Sequence, residues 1–231
     1  MGFVTRVLVY TSGLLKRYGP SGMKRVFWDK EFTRGKWNFA DDTSGDVVYQ
    51  HLEKYVGDGS VLDLGCGQGS TAVELASPYR HYVGVDISEV ALKRARNKTA
   101  AVGRTSRASF ACADFLAYSP HQKFDVILFR ESMYHVPIGQ VKTILGRYSQ
   151  FLTDDGVFIV RLFLSGPKGE KRYRPRAVVR TIQEEFDVIE RADYKDLGET
   201  AVTVFRPRLI RNNAKQQLAG QGSARDATFS G

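Results

Sequence analysis

Two stretches of the sequence decide the fold: VLDLGCGQGS, residues 61–70, and YVGVDIS, residues 82–88. Each begins with a short apolar run of the kind that forms a buried parallel strand. The first run leads into three glycines, Gly65, Gly67 and Gly69, which permit a tight turn and let a ligand lie against bare backbone. A helix-compatible segment follows directly, and its first N–H groups suit anionic or strongly hydrogen-bonding groups.

The second apolar run ends at Asp86, twenty-one residues after Gly65. An acidic residue at this offset, at the tip of the second strand, is placed to bind both hydroxyl groups of a ribose. The pattern therefore predicts a cofactor that contains a nucleoside. Dinucleotide dehydrogenases share this layout. Here, however, Asp63 lies two residues before the first glycine, where it can face a cationic amino-acid or sulfonium group that a dinucleotide lacks.

Two further segments complete the pattern, FACADF at 110–115 and FDVILFRESMYHV at 124–136. With these four segments in order, the chain resembles the class I S-adenosylmethionine-dependent methyltransferases over about residues 61–206. The resemblance implies S-adenosylmethionine as the cofactor and an α/β fold, a Rossmann-like doubly wound sheet of seven mainly parallel strands. Strands that alternate with helices agree with that fold class, and the last two predicted strands, 188–194 and 200–205, should pair as an antiparallel hairpin.

The resemblance also assigns the contacts of the cofactor, position by position. The residues expected along the methionine moiety are Asp63, Gly65, Cys66, Gly67 and Gly69. Those expected around the adenosine are Asp86 on the ribose, Ile87 and Phe115 against the adenine, and Asp114 on its amino group. Arg130 completes the set, together with Trp37, whose ring is expected to meet the cationic sulfonium or else to pack a cap onto the core.

Substrate chemistry is expected in the segment FRESMYH, residues 129–135. It departs from the (D/N)PP(Y/F) pattern of many nucleic-acid and protein N-methyltransferases and resembles small-molecule methyltransferases, including some that act on saccharides and natural products. His135 is the candidate general base because the ordinary pKa of histidine lies near physiological pH, and Glu131 and Tyr134 are the other catalytic candidates. Two alternatives stay open: His135 only caps the following turn, or positioning suffices without a base. The predicted reaction is in-line methyl transfer to an oxygen or nitrogen atom of a small molecule.

The excess of positive charge lies at the two ends of the chain. The chain carries 34 Lys and Arg against 25 Asp and Glu, a formal net charge of +9. Residues 1–37 hold eight of these bases and two acids, residues 207–231 hold four and one, and residues 38–206 are balanced. A nucleic-acid partner is therefore not expected for the core, although the basic ends leave an RNA methyltransferase as an alternative. A basic cluster at 167–180, PKGEKRYRPRAVVR, predicts a loop that faces an anionic acceptor, or else a solvated loop.

The patterns divide the chain into an N-terminal helix and lid segment over residues 1–45, the methyltransferase domain over 46–206, and a disordered tail over 207–231. Residues 3–18 have apolar side chains at helical spacing, which fits a helix packed on the domain or one lying on a membrane surface. Every apolar run falls short of the roughly 20 residues that span a bilayer. Two cysteines indicate neither a disulfide framework nor a metal cluster. We therefore expect a cytoplasmic protein, with peripheral membrane contact and a non-catalytic cofactor-binding adaptor as open alternatives.

Overall fold

A seven-stranded sheet organises the part of the chain that the computed structural model describes, which is residues 14–40, 42–165, 173–195 and 199–208. The strands are β1 (Ser60–Leu64), β2 (His81–Asp86), β3 (Ala108–Cys112), β4 (Phe124–Arg130), β5 (Leu152–Phe163), β6 (Asp187–Tyr194) and β7 (Thr200–Arg206). They lie in the order β3-β2-β1-β4-β5-β7-β6. The first five are parallel, and β7 runs antiparallel to both β5 and β6. The predicted fold class, including its antiparallel C-terminal hairpin, is confirmed.

Besides the helical residues 14–18, the described part of the chain has six α-helices, two of them before β1 and one after each of β1, β2, β4 and β5. They are α1 (Ser21–Thr33), α2 (Val48–Val56), α3 (Ser70–Glu74), α4 (Glu89–Ala101), α5 (Val141–Ser149) and α6 (Tyr173–Glu185). Ser88 caps α4, because its side chain accepts a hydrogen bond from the Ala91 N–H. Strand β5 begins at Leu152, which pairs with Phe124 ahead of an irregularity in the register.

Two apolar layers cover the two faces of the sheet. Side chains alternate along β4, so Val126 and Leu128 pack in the layer that contains α2, while Ile127 and Phe129 pack in the layer that contains α5 and α6. Because helices cover both faces of a parallel sheet, its connecting loops lie at the ends of the strands. The loops after β1, β2, β3 and β4 therefore meet at one edge, the usual ligand-binding edge of an open α/β sheet.

Helix α1 lies across the ends of β2 and β3. Its Asp29 carboxylate accepts hydrogen bonds from the Ser88 hydroxyl at 2.6 Å and from the Val90 N–H at 3.3 Å, at the start of α4. Its Lys24 Nζ lies 2.9 Å from a carboxylate oxygen of Asp114, after β3. These charged contacts attach the N-terminal segment to the sheet edge as a roof.

Three expectations concern residues outside the described ranges: residues 3–13 of the first predicted helix, residues 167–172 of the basic cluster, and the tail from residue 209. Residues 14–18 are helical. Among the helices of the described residues, none combines the length and apolarity needed to cross a bilayer. The division into three parts and the membrane contact of residues 3–18 stay predictions.

We predict that Gly69→Ala destabilises the protein more than Gly103→Ala does. Both glycines have positive φ, +73° and +69°, so both variants bear the strain of a left-handed residue, roughly 1–2 kcal/mol. A Cβ at Gly69 would also lie 2.6 Å from the Ala95 Cβ of α4, whereas the space at Gly103 is open. Such overpacking costs about 1–3 kcal/mol more. Thermal unfolding should therefore show a melting temperature several degrees lower for Gly69→Ala, and equal melting temperatures would contradict this packing role.

Candidate functional site

A cavity of about 760 Å³ lies at the carboxyl ends of the strands. Its base is formed by the loops after β1 to β4: Gly65, Cys66, Gly67, Gln68, Asp86, Ile87, Asp114, Phe115, Leu116, Arg130, Glu131, Ser132, Tyr134 and His135. Its roof comes from the N-terminal segment: Lys16, Lys24, Trp28, Phe32, Lys36, Trp37 and Phe39. A volume of this size is typical of small-molecule and cofactor sites, about 300–1,000 Å³.

The carboxylate of Asp86 joins the glycine loop to the end of β2. One oxygen accepts the Gly67 N–H at 2.9 Å, and the other accepts the Ser88 N–H at 2.9 Å. Each carboxylate oxygen retains acceptor capacity for a second donor from the cavity. Burial raises the pKa of Asp86 to about 6, so a ligand whose hydroxyl groups donate to it would favour its ionised form.

The glycine loop needs its glycines for packing as well as for ligand approach. Gly65 has φ +83°, and a Cβ there would lie 2.5 Å from the Ser132 Cβ of the loop after β4. Gly67 has φ +53°, and a Cβ there would come within 4 Å of a single atom, Cζ of the Phe32 ring, at 3.9 Å. Gly65 therefore brings two loops together, and Gly67 leaves bare backbone beneath the roof.

Two of the predicted site residues, Asp63 and Gly69, do not line the cavity; the others do. Asp63 is 1% exposed, and one carboxylate oxygen accepts the Tyr82 hydroxyl at 2.7 Å. Its Oδ1 is buried with no hydrogen-bond partner in the described part of the chain, and burial raises its pKa. Cys66 does line the cavity, and burial raises the pKa of its thiol.

Asp114, the predicted partner of the adenine amino group, is engaged by the roof. Its Oδ2 accepts from Lys24 Nζ at 2.9 Å and from the Ser21 hydroxyl at 3.2 Å, and its Oδ1 accepts the Leu116 N–H at 3.0 Å. A ligand amino group would therefore share Asp114 with helix α1. Phe115, beside it, also lines the cavity, with its ring centroid 5.9 Å from that of Phe129.

A network of two arginines and two acids fixes the loop after β4. Asp46 accepts from Arg130 Nε at 3.1 Å and from Arg161 Nε at 3.2 Å. Glu131 has φ +52°, a left-handed conformation that costs about 1–3 kcal/mol in a residue other than glycine. Its Oε1 accepts from Arg161 Nη1 at 2.8 Å and from the Phe163 N–H at 2.5 Å, and these bonds hold the strained residue in place.

His135 lies against the aromatic roof. Its ring centroid is 5.1 Å from that of Trp28, edge to face, and 4.5 Å from that of Tyr134. Burial, together with the positive charges of Lys16 and Arg17, lowers the pKa of His135 to about 3. The imidazole is therefore neutral at physiological pH, but it is a far weaker base than the ordinary pKa assumed from the sequence. Its catalytic role stays a prediction, and the argument from an ordinary pKa does not apply.

Sequence reasoning missed two residues that tie the glycine loop to the roof. The buried Gln68 donates from Nε2 to the Trp37 carbonyl at 3.0 Å and accepts from Arg94 Nη1 at 2.7 Å. Arg94 Nη2 also donates to the Phe32 carbonyl at 3.0 Å. The position of Gln68 inside the glycine motif was an available signal. For Asp46 no comparable signal existed, whereas Arg161 was marked as the one charged residue in the apolar run 157–163 of strand β5.

Comparison with known proteins gives a family and a fold. A family model described as a methyltransferase domain matches residues 56–215. A probable thiol methyltransferase 2 of Arabidopsis thaliana is 36% identical over 104 residues, 43% of this chain and 45% of that protein. A thiocyanate methyltransferase 1 of Brassica oleracea is 39% identical over 69 residues, 30% of each chain. The chain thus spans less than half the length of these curated relatives.

Solved structures share the fold at low sequence identity. The N-methyltransferase NodS of Bradyrhizobium japonicum WM9, in complex with S-adenosyl-L-homocysteine, matches with a TM-score of 0.59 and 20% identity over 75% of this chain and 92% of that chain. The glycopeptide N-methyltransferase MtfA, also complexed with S-adenosyl-L-homocysteine, matches with a TM-score of 0.60 and 16% identity over 72% and 91%. The protein therefore belongs to the methyltransferase-domain family, and the predicted resemblance to class I S-adenosylmethionine-dependent methyltransferases is confirmed.

Proposed function

We propose that this protein uses S-adenosylmethionine to methylate an oxygen or nitrogen atom of a small molecule. The observation that carries the proposal is the position of Asp86, whose buried carboxylate lines the cavity beside the bare backbone of the glycine loop. A carboxylate at the end of β2 is suited to accept two ribose hydroxyl groups. The membership of the chain in a methyltransferase family supports the reaction type.

The residues at the cavity fit a nucleoside that carries a sulfonium. Asp86 would bind the ribose, and Ile87 and Phe115 offer apolar surface for the adenine. The ring of Trp37 lines the same cavity, and its face would attract the sulfonium. When bound, S-adenosylmethionine supplies an electrophilic methyl group on its sulfonium.

The contribution of the chain to the reaction is alignment and the exclusion of water. In-line displacement gains most from holding two reactants in the correct geometry. The salt bridge between Lys24 and Asp114 closes the roof, and Arg161 holds the strained Glu131 at the side of the cavity. Because His135 is a weak base, we propose that positioning dominates and that the neutral imidazole serves as a hydrogen-bonding group to the acceptor.

A sulfur acceptor is the second candidate. The curated relatives quoted above are named for thiol and thiocyanate methylation and match this chain at 36% and 39% identity over the aligned residues. We therefore include thiols among the acceptors to be tested.

An anionic acceptor, the expectation drawn from the basic cluster, receives limited support. Among its described cations, Arg176 is paired with Glu199, and Arg180 lies 3.9 Å from Glu184. Arg174 retains a buried Nη1 without a hydrogen-bond partner in the described residues, and its charge acts on His135. Arg174 is therefore the residue of this cluster that we propose for an acceptor anion.

Calorimetry with S-adenosylhomocysteine tests the proposal. Asp86→Asn should weaken binding by about tenfold or more, because a hydrogen bond to a charged group contributes about 1.5–3 kcal/mol. Asp125→Asn is the control, since Asp125 also accepts a backbone N–H, from Ser60 at 2.7 Å, but lies away from this cavity. Equal affinities in the two variants would contradict the ribose assignment. Methyl transfer from labelled donor to a panel of alcohols, amines, thiols and bulk RNA then identifies the acceptor.

We predict that affinity for S-adenosylhomocysteine falls as the pH drops through about 6. The raised pKa of Asp86 means that its carboxyl is protonated in acid, whereas ribose hydroxyl groups donate best to the ionised form. Binding should therefore be about tenfold weaker at pH 5 than at pH 7.5, by proton linkage. The pH dependence of binding should vanish in Asp86→Asn. Asp63, whose pKa is also raised, is still present in this variant, so the loss would assign the dependence to Asp86. A dependence that persists in that variant would assign the effect to another group.

We also predict that His135 does not titrate near neutral pH. Nitrogen-15 NMR of labelled histidine should show its imidazole neutral from pH 8 down to about pH 5, because its pKa lies at about 3. His135→Gln assigns the resonance. A midpoint near 6.5 would contradict the environment described and would restore the argument for a general base.

A further inference from the structure

The roof of the cavity contains a cage of aromatic rings that holds the ammonium group of Lys16. The Nζ atom lies 4.3 Å from the ring centroid of Trp28, 4.6 Å from that of Phe27 and 6.0 Å from that of Trp37. All three distances are within the range of cation–π attraction, about 6 Å. An internal cation on the wall of a ligand cavity marks a place whose chemistry suits a positive group.

Glu31 is the counterion of the cage. Its Oε2 accepts from Lys16 Nζ at 2.8 Å and from the Trp37 indole N–H at 3.0 Å, and its Oε1 accepts from Lys36 Nζ at 2.8 Å. Glu31 is 9% exposed, and despite this burial its pKa is lowered by the two lysines and the indole. If the Lys16 side chain left, Glu31 would keep Lys36 and Trp37 as partners and would present a free acceptor to the cage.

The cage lies between the two loops at which a methyl donor and acceptor must meet. The Trp37 carbonyl is bound by Gln68 of the glycine loop at 3.0 Å. The Trp28 ring packs on His135, in the loop after β4, at 5.1 Å. Lys16, Trp28 and Trp37 all line the cavity.

We propose that this cage, formed by Phe27, Trp28, Trp37 and Glu31, is the subsite for an alkylammonium group of the methyl acceptor, and that Lys16 is an internal occupant that the acceptor displaces. The inference rests on the proposed function and adds the chemical class of its substrate. Burial lowers the pKa of Lys16 even beside Glu31, so the cage removes water from the cation that it holds. Cation–π attraction is strongest for a desolvated cation, which favours recognition of an onium group there.

Displacement of Lys16 requires little loss of apolar packing. The short helical stretch at 14–18 leaves Leu14, Leu15 and Tyr18 exposed, at 37%, 40% and 59%. Gly19 and Pro20 separate it from α1, so the residue that fills the cage and the helix that carries Phe27 and Trp28 belong to different elements. The stretch thus carries the occupant, while α1 carries Phe27, Trp28 and Glu31 of the cage.

Fluorescence titration with choline tests the subsite, because Trp28 and Trp37 are the two tryptophans of the chain. Choline cannot lose its charge, and its neutral isostere with a quaternary carbon in place of nitrogen has the same shape. We expect Lys16→Ala to bind choline at least tenfold more tightly than the wild type, and to bind the isostere at least tenfold more weakly than choline. Lys30→Ala is the matched control: it removes a lysine of α1 that is exposed and does not line the cavity, so this variant should behave as the wild type does.

A second variant guards against an indirect effect of Lys16→Ala. Adding Trp28→Leu to it should abolish the gain in choline affinity while S-adenosylhomocysteine still binds, which verifies that the protein is folded. Equal binding of choline and its isostere, or no gain in Lys16→Ala, would overturn the proposal.

The same titration shows whether the cage binds the ammonium group of the acceptor or the sulfonium of the donor. Choline should still bind Lys16→Ala saturated with S-adenosylmethionine, as it does with S-adenosylhomocysteine. Exclusion of choline by S-adenosylmethionine alone would assign the cage to the donor and overturn the acceptor subsite. If neither S-adenosylmethionine nor S-adenosylhomocysteine binds, the proposed function itself is refuted. The failure of the subsite and the failure of the proposed function are therefore distinguishable.

Discussion

The carboxylate of Asp86 connects the sequence motif to the site. Asp86 lies at the end of β2 and accepts the Gly67 N–H and the Ser88 N–H. It thereby holds the glycine loop after β1 against the start of α4. Parallel pairing of β1 with β2, in register from Ser60 with His81, brings these loops to the same edge. The cavity exists because this edge is open above the carboxylate, and the burial that makes the site also raises the pKa of the group that would bind the ribose.

Charge pairs attach the roof to the sheet edge, beside the ring contacts of Trp28 and Phe32. Helix α1 leaves Met23 and Val26 exposed, at 53% and 70%, while Lys24 and Asp29 bind the loops after β3 and β2. Contacts of this kind are weaker at high salt when exposed but persist when buried, and Lys24 is buried. The buried pair of Lys24 and Asp114 therefore fixes the position of α1 over the loop after β3.

The sheet and the cofactor edge could be predicted because their signals are local. These signals are glycines at alternating positions, an acid at a fixed offset, and apolar runs of strand length, and each can be recognised within a short stretch of the chain. All but Asp63 and Gly69 of the predicted site residues line the cavity. Gly69 shows the limit of such reasoning: it meets Ala95 of α4, so packing accounts for it as well as a ligand would.

Contacts between distant residues could not be predicted in the same way. The pairing of Asp46 with Arg161 spans 115 residues, and the pairing of Lys24 with Asp114 spans 90. Their partners are decided by the folded sheet, since many charges of either sign are present along the chain. The low pKa of His135 has the same origin, because burial beneath Trp28 and the nearby Lys16 follow only from the placement of the roof.

A crystal structure of the full chain with S-adenosylhomocysteine tests the central claim most directly. The account predicts a nucleoside in the cavity with both ribose hydroxyl groups within about 3 Å of the Asp86 carboxylate oxygens, a normal hydrogen-bond distance. A nucleoside bound elsewhere, or one whose ribose does not meet Asp86, would contradict it.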